Sequence, residues 1–288
     1  MSKDIFFDRV TVLGVGLIGA SFSLALKKHG LCGHICGFGR KESNLIVARE
    51  RGIIDSFYLD PSRAVAGSGL VVLCLPVGLF LETATAIKSS LMADAVVTDV
   101  GSVKGRLVSR LEEILSDRAF FVGGHPIAGS EKSGIGTADP DLFRGRRCIV
   151  TETGNTRSAA LKLVVDLWRS IGALVEKMDP QEHDRVFGAV SHLPHVIAYE
   201  MINTIDEIDS SYLEYAGRGL ADVTRIASSS PELWRDICIL NRENLVRFID
   251  AFIGRLQRVR EDVSSGEADR LEGEFTKAKA LRDGIGQD

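Results

Sequence analysis

Val10-Thr11-Val12-Leu13-Gly14-Val15-Gly16-Leu17-Ile18-Gly19 is the stretch on which the fold turns. Val10–Leu13 is a short apolar, β-branched run that reads as a strand, and Leu17 to His29 reads as the helix after it. Between them lies a Gly-x-Gly-x-x-Gly run. Alone it is a weak signal in a chain with 29 glycines. Set between a strand and a helix, it is the dinucleotide-binding fingerprint. Gly14 permits the tight turn, Gly16 lets the backbone approach a pyrophosphate, and Gly19 lets the helix pack closely on the strand. The helix start, at Leu17 and Ile18, offers unpaired N–H groups to phosphates. The bland alternative is a tight turn with no ligand.

Working outward, short apolar runs alternate with helical patterns up to about residue 179. Ile35–Phe38, Leu70–Leu75, Ala95–Asp99, Phe120–Val122, Cys148–Thr151 and Leu174–Lys177 all read as strands. Strands that are almost wholly apolar suit a parallel sheet covered on both faces. The expected fold is therefore α/β: a Rossmann-type doubly wound sheet over residues 1–179, then an all-α substrate and dimerisation domain over 180–288. After Asp179-Pro180 no convincing strand follows. Ser230-Pro231-Glu232 reads as a helix start, with a serine cap, proline at the first position and an acid near the positive end. That helix is expected to run past Arg260. Leu245, Phe248, Ile249, Phe252, Ile253 and Leu256 form a broad apolar stripe on it, which needs either the chain's own helices or a second copy to cover it. A homodimer through the helical half is the favoured reading.

Composition narrows the partners. A net charge of -4 leaves no basic field for nucleic acid and no polybasic patch for anionic lipid, so neither is expected. The expected partner is a small-molecule substrate. No apolar run approaches a membrane span, and Met1-Ser2-Lys3-Asp4 is unlike the start of a signal peptide. The five cysteines form no Cys-x-x-Cys pair and read as free thiols in a reducing compartment, so a cytoplasmic protein without a metal centre is expected.

The second strand qualifies the cofactor. An NAD site expects an acid at its end to hold the ribose hydroxyls. Here the chain reads Gly37-Phe38-Gly39-Arg40-Lys41-Glu42-Ser43, with no acid in that place. Arg40 and Lys41 suit a 2′-phosphate, which favours NADP and leaves NAD open; alternatively they begin the next helix in solvent, or Arg40 stacks on adenine. Pro76, Asp99 and Ser102, at or just beyond the ends of two apolar strands, complete the expected cofactor-binding set, since doubly wound sheets bind ligands at their strand ends.

Three polar segments sit between glycine, proline and apolar neighbours: Asp99-Val100-Gly101-Ser102-Val103-Lys104-Gly105, Gly123-Gly124-His125-Pro126-Ile127-Ala128-Gly129-Ser130-Glu131 and Ser191-His192-Leu193-Pro194-His195. A histidine titrates near neutrality, so His125 suits a proton acceptor, though a turn residue bonded to backbone is as good a reading of it alone. Of His192 and His195, one is expected to be structural. His183, beside Asp184 at the junction of the two halves, reads as an interdomain hydrogen bond.

With Asp222-Val223-Thr224-Arg225 and Trp234-Arg235-Asp236, these segments resemble the prephenate/arogenate dehydrogenase family of tyrosine biosynthesis, over nearly the whole chain. The resemblance implies NAD(P)-dependent oxidative decarboxylation of prephenate to 4-hydroxyphenylpyruvate, with arogenate to tyrosine as the alternative. It implies that His125 is the catalytic histidine at the ring hydroxyl and that Ser102 orients that histidine and the nicotinamide. It also implies that Arg225 grips a carboxylate and that His195, Ser191, Ser130, Glu131 and Trp234 line the substrate pocket. A non-catalytic dinucleotide sensor is the reading from another class. With no further domain expected on either side, tyrosine inhibition would act at the active site or across the dimer.

Overall fold

In the computed structural model, residues 5–129 and 134–285 are described. By packing, the chain divides into two units, Met1–Asn241 and Arg242–Asp288. The first holds one eight-stranded sheet: β1 (Phe7–Leu13), β2 (Cys32–Phe38), β3 (Ser56–Tyr58), β4 (Leu70–Leu73), β5 (Ala95–Asp99), β6 (Ala119–Pro126), β7 (Arg147–Thr151) and β8 (Leu174–Met178). Their spatial order is β3-β2-β1-β4-β5-β6-β7-β8. Strand order therefore reverses between β1 and β4, the switch point at which doubly wound sheets bind ligands.

Helices between the strands are α1 (Leu17–Lys28), α2 (Glu42–Glu50), α3 (Pro61–Val65), α4 (Phe80–Ile87), α5 (Gly105–Leu115) and α6 (Ser158–Ser170). They cover both faces. On one, Val10, Val12, Ile35 and Val122 pack with Phe22, Leu26, Phe143 and Trp168. On the other, Leu13, Val71, Leu73 and Val97 pack with Phe80, Ile87, Leu107 and Leu111. Side chains of a strand alternate between faces, so a strand covered on both must be apolar throughout, as β4 is; the buried end of β1, Val10–Leu13, departs from this only at Thr11, whose hydroxyl donates to the Ala64 carbonyl at 2.7 Å.

Two features of the sheet differ from the sequence expectation. β3 has three residues, too few for a periodicity to show. The sheet is parallel from β3 to β6, but β7 runs antiparallel to β6, and β8 runs parallel to β7. A parallel return needs a crossover of a dozen or more residues, usually helical. In the described part of the β6–β7 connection only a short turn, Ile135–Thr137, is helical, so β7 starts at the end where β6 stops.

The helices α7 (Pro180–Phe187), α8 (Leu193–Asp209), α9 (Arg218–Thr224) and α10 (Pro231–Leu240) belong to the same unit as the sheet. A π-turn, Gly188–His192, joins α7 to α8. The second unit consists of α11 (Arg242–Ser265) and α12 (Ala268–Asp283). The Ser230 hydroxyl caps α10 by accepting the Leu233 N–H at 3.3 Å, with Pro231 next, as the sequence suggests. That helix does not run past Arg260 in one piece. It stops at Leu240, and Asn241 turns its side-chain amide onto the Asp184 carbonyl (2.8 Å) and the His192 ring (3.0 Å).

Candidate active site

The glycine run at the end of β1 makes a cradle, and each glycine has its own reason. Gly14 sits at φ +107°, and a Cβ there would lie 2.3 Å from the Cys74 carbonyl oxygen. A Cβ on Gly19 would lie 2.1 Å from the Gly14 oxygen and 2.9 Å from Val12. Gly16 faces open space, with no atom within 4 Å of a would-be Cβ, and it precedes an α1 start that no side chain caps and no acid approaches. Bare first-turn N–H groups beside an open surface fit a pyrophosphate, so the loop suits a nicotinamide dinucleotide. Pro76, beyond β4, and Arg40 and Lys41, beyond β2, are not buried, and the two basic residues are fully at the surface. Gly39 follows β2, and a Cβ there would meet Leu45 at an ordinary 3.4 Å.

Asp99 closes β5. Its carboxylate is 1 % exposed; Oδ2 accepts Lys104 Nζ (2.5 Å) and the Gly101 N–H (2.8 Å), and Oδ1 accepts the Gly124 N–H (3.0 Å). These bonds occupy the side chain that the sequence suggested for the cofactor, and through them it ties the β5–α5 loop to β6. Burial pushes its carboxyl up, against the pull of the Lys104 ammonium and the two N–H groups. Lys104 is itself fully buried. Ser102 is half-buried in the same loop.

His125 is thereby set at the end of a strand rather than in a turn, paired with Ile149 of β7. The glycines before it are sterically required. A Cβ on Gly123 would lie 2.3 Å from Thr151 Oγ1, and one on Gly124 would lie 2.7 Å from the Asp99 carbonyl. Behind the ring, His125 Nδ1 is 2.8 Å from His183 Nε2, and His183 Nδ1 is 2.8 Å from Asp184 Oδ1. Phe187 packs on both rings, with centroids 4.7 Å and 4.5 Å away. His183 is thus a partner of His125, a role its sequence position did not reveal. Burial holds the His125 imidazole well below its usual range, with the charges of His183, Lys104 and His192 adding to it. Burial takes His183 down to about 2 and His192 down to about 4, and pushes Asp184 up to about 6. At neutral pH, therefore, His125 has a free lone pair.

In front of His125 lies a cavity of about 670 Å³. His195 and Trp234 line it with Pro126–Gly129 and with Arg144 and Arg146 of the segment leading into β7. His195 stacks on Trp234 at 3.4 Å between centroids and 20° between planes. Its Nδ1–H donates to the Ser191 carbonyl at 2.9 Å, so Ser191 holds the ring through its backbone. Burial lowers the His195 pKa, and the Arg225 charge adds to this. Arg225 is exposed, one residue past α9. Ser130 and Glu131 lie outside the described residues. Arg144 and Arg146 were not singled out from sequence, because a basic residue in an irregular connection looks like solvated surface until the loop is placed.

A sheet of this order, a phosphate cradle at its switch point and an uncharged histidine facing the adjoining cavity define a dinucleotide-dependent dehydrogenase. Family models agree: residues 22–177 match "Prephenate dehydrogenase, nucleotide-binding domain" and residues 179–277 match "Prephenate dehydrogenase, dimerization domain". The chain belongs to the prephenate dehydrogenase family. It is 33% identical to a prephenate dehydrogenase of Bacillus subtilis over 96% of this chain and 76% of that one. Its fold matches the crystal structure of prephenate dehydrogenase from A. aeolicus, in complex with hydroxyphenyl propionate and NAD+, with a TM-score of 0.92 and 38% identity over 98% and 100% of the two chains. It also matches a Synechocystis arogenate dehydrogenase with a TM-score of 0.79 and 27% identity, over 96% and 99%.

Proposed function

We propose that the protein oxidises and decarboxylates prephenate to 4-hydroxyphenylpyruvate, with His125 as the base and a nicotinamide dinucleotide as the oxidant. The observation that carries this is the seat of His125: uncharged, backed by His183, and facing the cavity that His195 and Trp234 line. When bound, the nicotinamide supplies the hydride acceptor. The residues supply the rest. His125 takes the proton of the ring hydroxyl as hydride leaves the carbon bearing it. The dienone so formed loses the carboxylate at the opposite carbon as carbon dioxide, the electron pair of that bond passes through the ring to the oxygen, and the proton held by His125 returns there to give the aromatic phenol. A base is useful here only if it starts neutral, which burial secures.

Arginine keeps its charge and can hold a carboxylate by two parallel bonds, so Arg225 is assigned to one carboxylate of the substrate. Ser102 is assigned to orienting His125 and the nicotinamide, and Ser191, His195, Ser130, Glu131 and Trp234 to the substrate pocket. Prephenate is preferred to arogenate because the relatives sharing 33% and 38% identity carry the prephenate name. Arg40 and Lys41, with no acid at Gly39, favour NADP over NAD.

Replacing the base is the direct test. His125→Asn is expected to lower kcat by about 10²–10⁴-fold while leaving KM and dinucleotide affinity within a few-fold. A variant turning over at nearly the parental rate would remove His125 from the chemistry.

A further inference from the structure

A neutral imidazole has one N–H and one lone pair, and which nitrogen carries the proton decides whether His125 can act on anything in the cavity. Its Nδ1 faces His183 and not the substrate. If the proton sat on Nε2, the lone pair would point backwards and the base would be useless.

The proton positions can be worked forward from Asp184. A carboxylate only accepts hydrogen bonds. Its Oδ1 takes the Lys104 N–H at 2.7 Å and lies 2.8 Å from His183 Nδ1, so that nitrogen must carry the proton. His183 Nε2 is then a lone pair. The 2.8 Å contact from it to His125 Nδ1 is a hydrogen bond only if His125 Nδ1 donates. His125 Nε2 is left as the acceptor.

Resting on the reading of His125 as the base, we infer that His183 and Asp184 are positioning residues that fix His125 in its Nδ1–H tautomer and so turn the Nε2 lone pair toward substrate. The anchor of this chain is rigid. Asp184 meets the start of α5 through the Lys104 N–H, and its second oxygen fills the space where a side chain at Gly105 would begin, 2.4 Å from a would-be Cβ. Its backbone carbonyl accepts Asn241 Nδ2 at 2.8 Å. His183 and Asp184 are 0% and 3% exposed, so no water competes for these bonds. The dyad also serves the charged state. As His125 gains a second proton, its Nδ1–H donates more strongly to His183, whose own proton rests on the carboxylate.

Ring-nitrogen NMR of the full chain, labelled with 15N-histidine, reads the tautomers at pH 7.5 without any variant having to fold. Both His125 and His183 are expected as Nδ1–H. Finding His125 protonated on Nε2 overturns the inference, whatever the role of His125 in turnover. Kinetics add a second arm. His183→Leu, which has no acceptor, should lose the Nδ1–H signal of His125 and lower kcat about 10²-fold with KM nearly unchanged. His183→Gln, whose side-chain carbonyl can stand near the lost Nε2, should restore kcat to within about tenfold of the parent. A leucine variant of parental kcat, or glutamine no better than leucine, contradicts the positioning role. By contrast, an active His125→Asn would sink the base assignment while leaving the tautomer measurement to stand on its own.

Discussion

His183 and His192 lie buried and His125 half-buried in one unit, and loss of solvent lowers the pKa of each. For a base this has a definite sign. As pH falls through the folded pKa, His125 acquires a proton beforehand and kcat/KM drops. Because that pKa is depressed, the acid limb of kcat/KM should lie below 6.5, the ordinary imidazole value. The groups facing His125 from neighbouring elements are His183, Lys104 and His192, each of which opposes a positive charge on it. Asp184, at about 6, acts one ring further away. A steady-state profile from pH 5 to 9 checks the limb, and a midpoint above 6.5 would mean that burial does not govern the base. His125 stood out in the sequence because Gly-Gly-His-Pro is unusual, and the glycines prove to be what Asp99 and Thr151 demand. His183 stood out only as a hydrogen bond at the junction of the two halves, with no partner named. Its meaning depends on a contact 58 positions away, which no local pattern encodes.

Elements were legible where their chemistry is local. β1, the glycine turn and α1 follow from a strand pattern, three glycines with separate duties and a helix start, and all lie where the sequence puts them. The misses arise where long-range demands act. The reversal of β7 depends on the described part of the β6–β7 connection holding no crossover helix, and the break after Leu240 depends on Asn241 being needed by Asp184 and His192. The apolar stripe begins only at Leu245, beyond that break, so its periodicity could not show it. At this scale the cofactor can be tested. Gly39 opens the connection after β2 and has room for a side chain, so Gly39→Asp should fold, accept the ribose hydroxyls and repel a 2′-phosphate, swinging preference toward NAD. Alanine at both Arg40 and Lys41 should lower kcat/KM for NADP by roughly tenfold and spare NAD, with a smaller difference at high salt because the contacts are exposed. Equal losses for both dinucleotides would assign Arg40 to the adenine instead.

The whole molecule asks for a second copy. α11 buries a single residue, Leu245, and α12 buries none, although Val246, Ile253, Leu256, Val263, Phe275 and Leu281 on them are exposed. Two helices with so little buried cannot offset the entropy of ordering them. A dimer formed through these helices is therefore expected, in keeping with the stripe from Leu245 to Leu256. Sedimentation should give twice the chain mass of 31.3 kDa, and Ile253→Glu with Leu256→Glu should shift it toward the monomer. A parent that sediments as a monomer at micromolar concentration would refute the assembly. Among the described residues no helix is long and apolar enough to cross a membrane.

One set of steady-state rates tests the reaction most directly: prephenate and arogenate, each with NAD and with NADP. Reduced dinucleotide should form with prephenate, in equal amounts with carbon dioxide and 4-hydroxyphenylpyruvate, and with a higher kcat/KM for NADP than for NAD. Turnover of arogenate alone would move the substrate assignment to the amino analogue. No reduction of either dinucleotide with either substrate, in a protein that still binds the cofactor, would contradict the account and leave a dinucleotide sensor in its place.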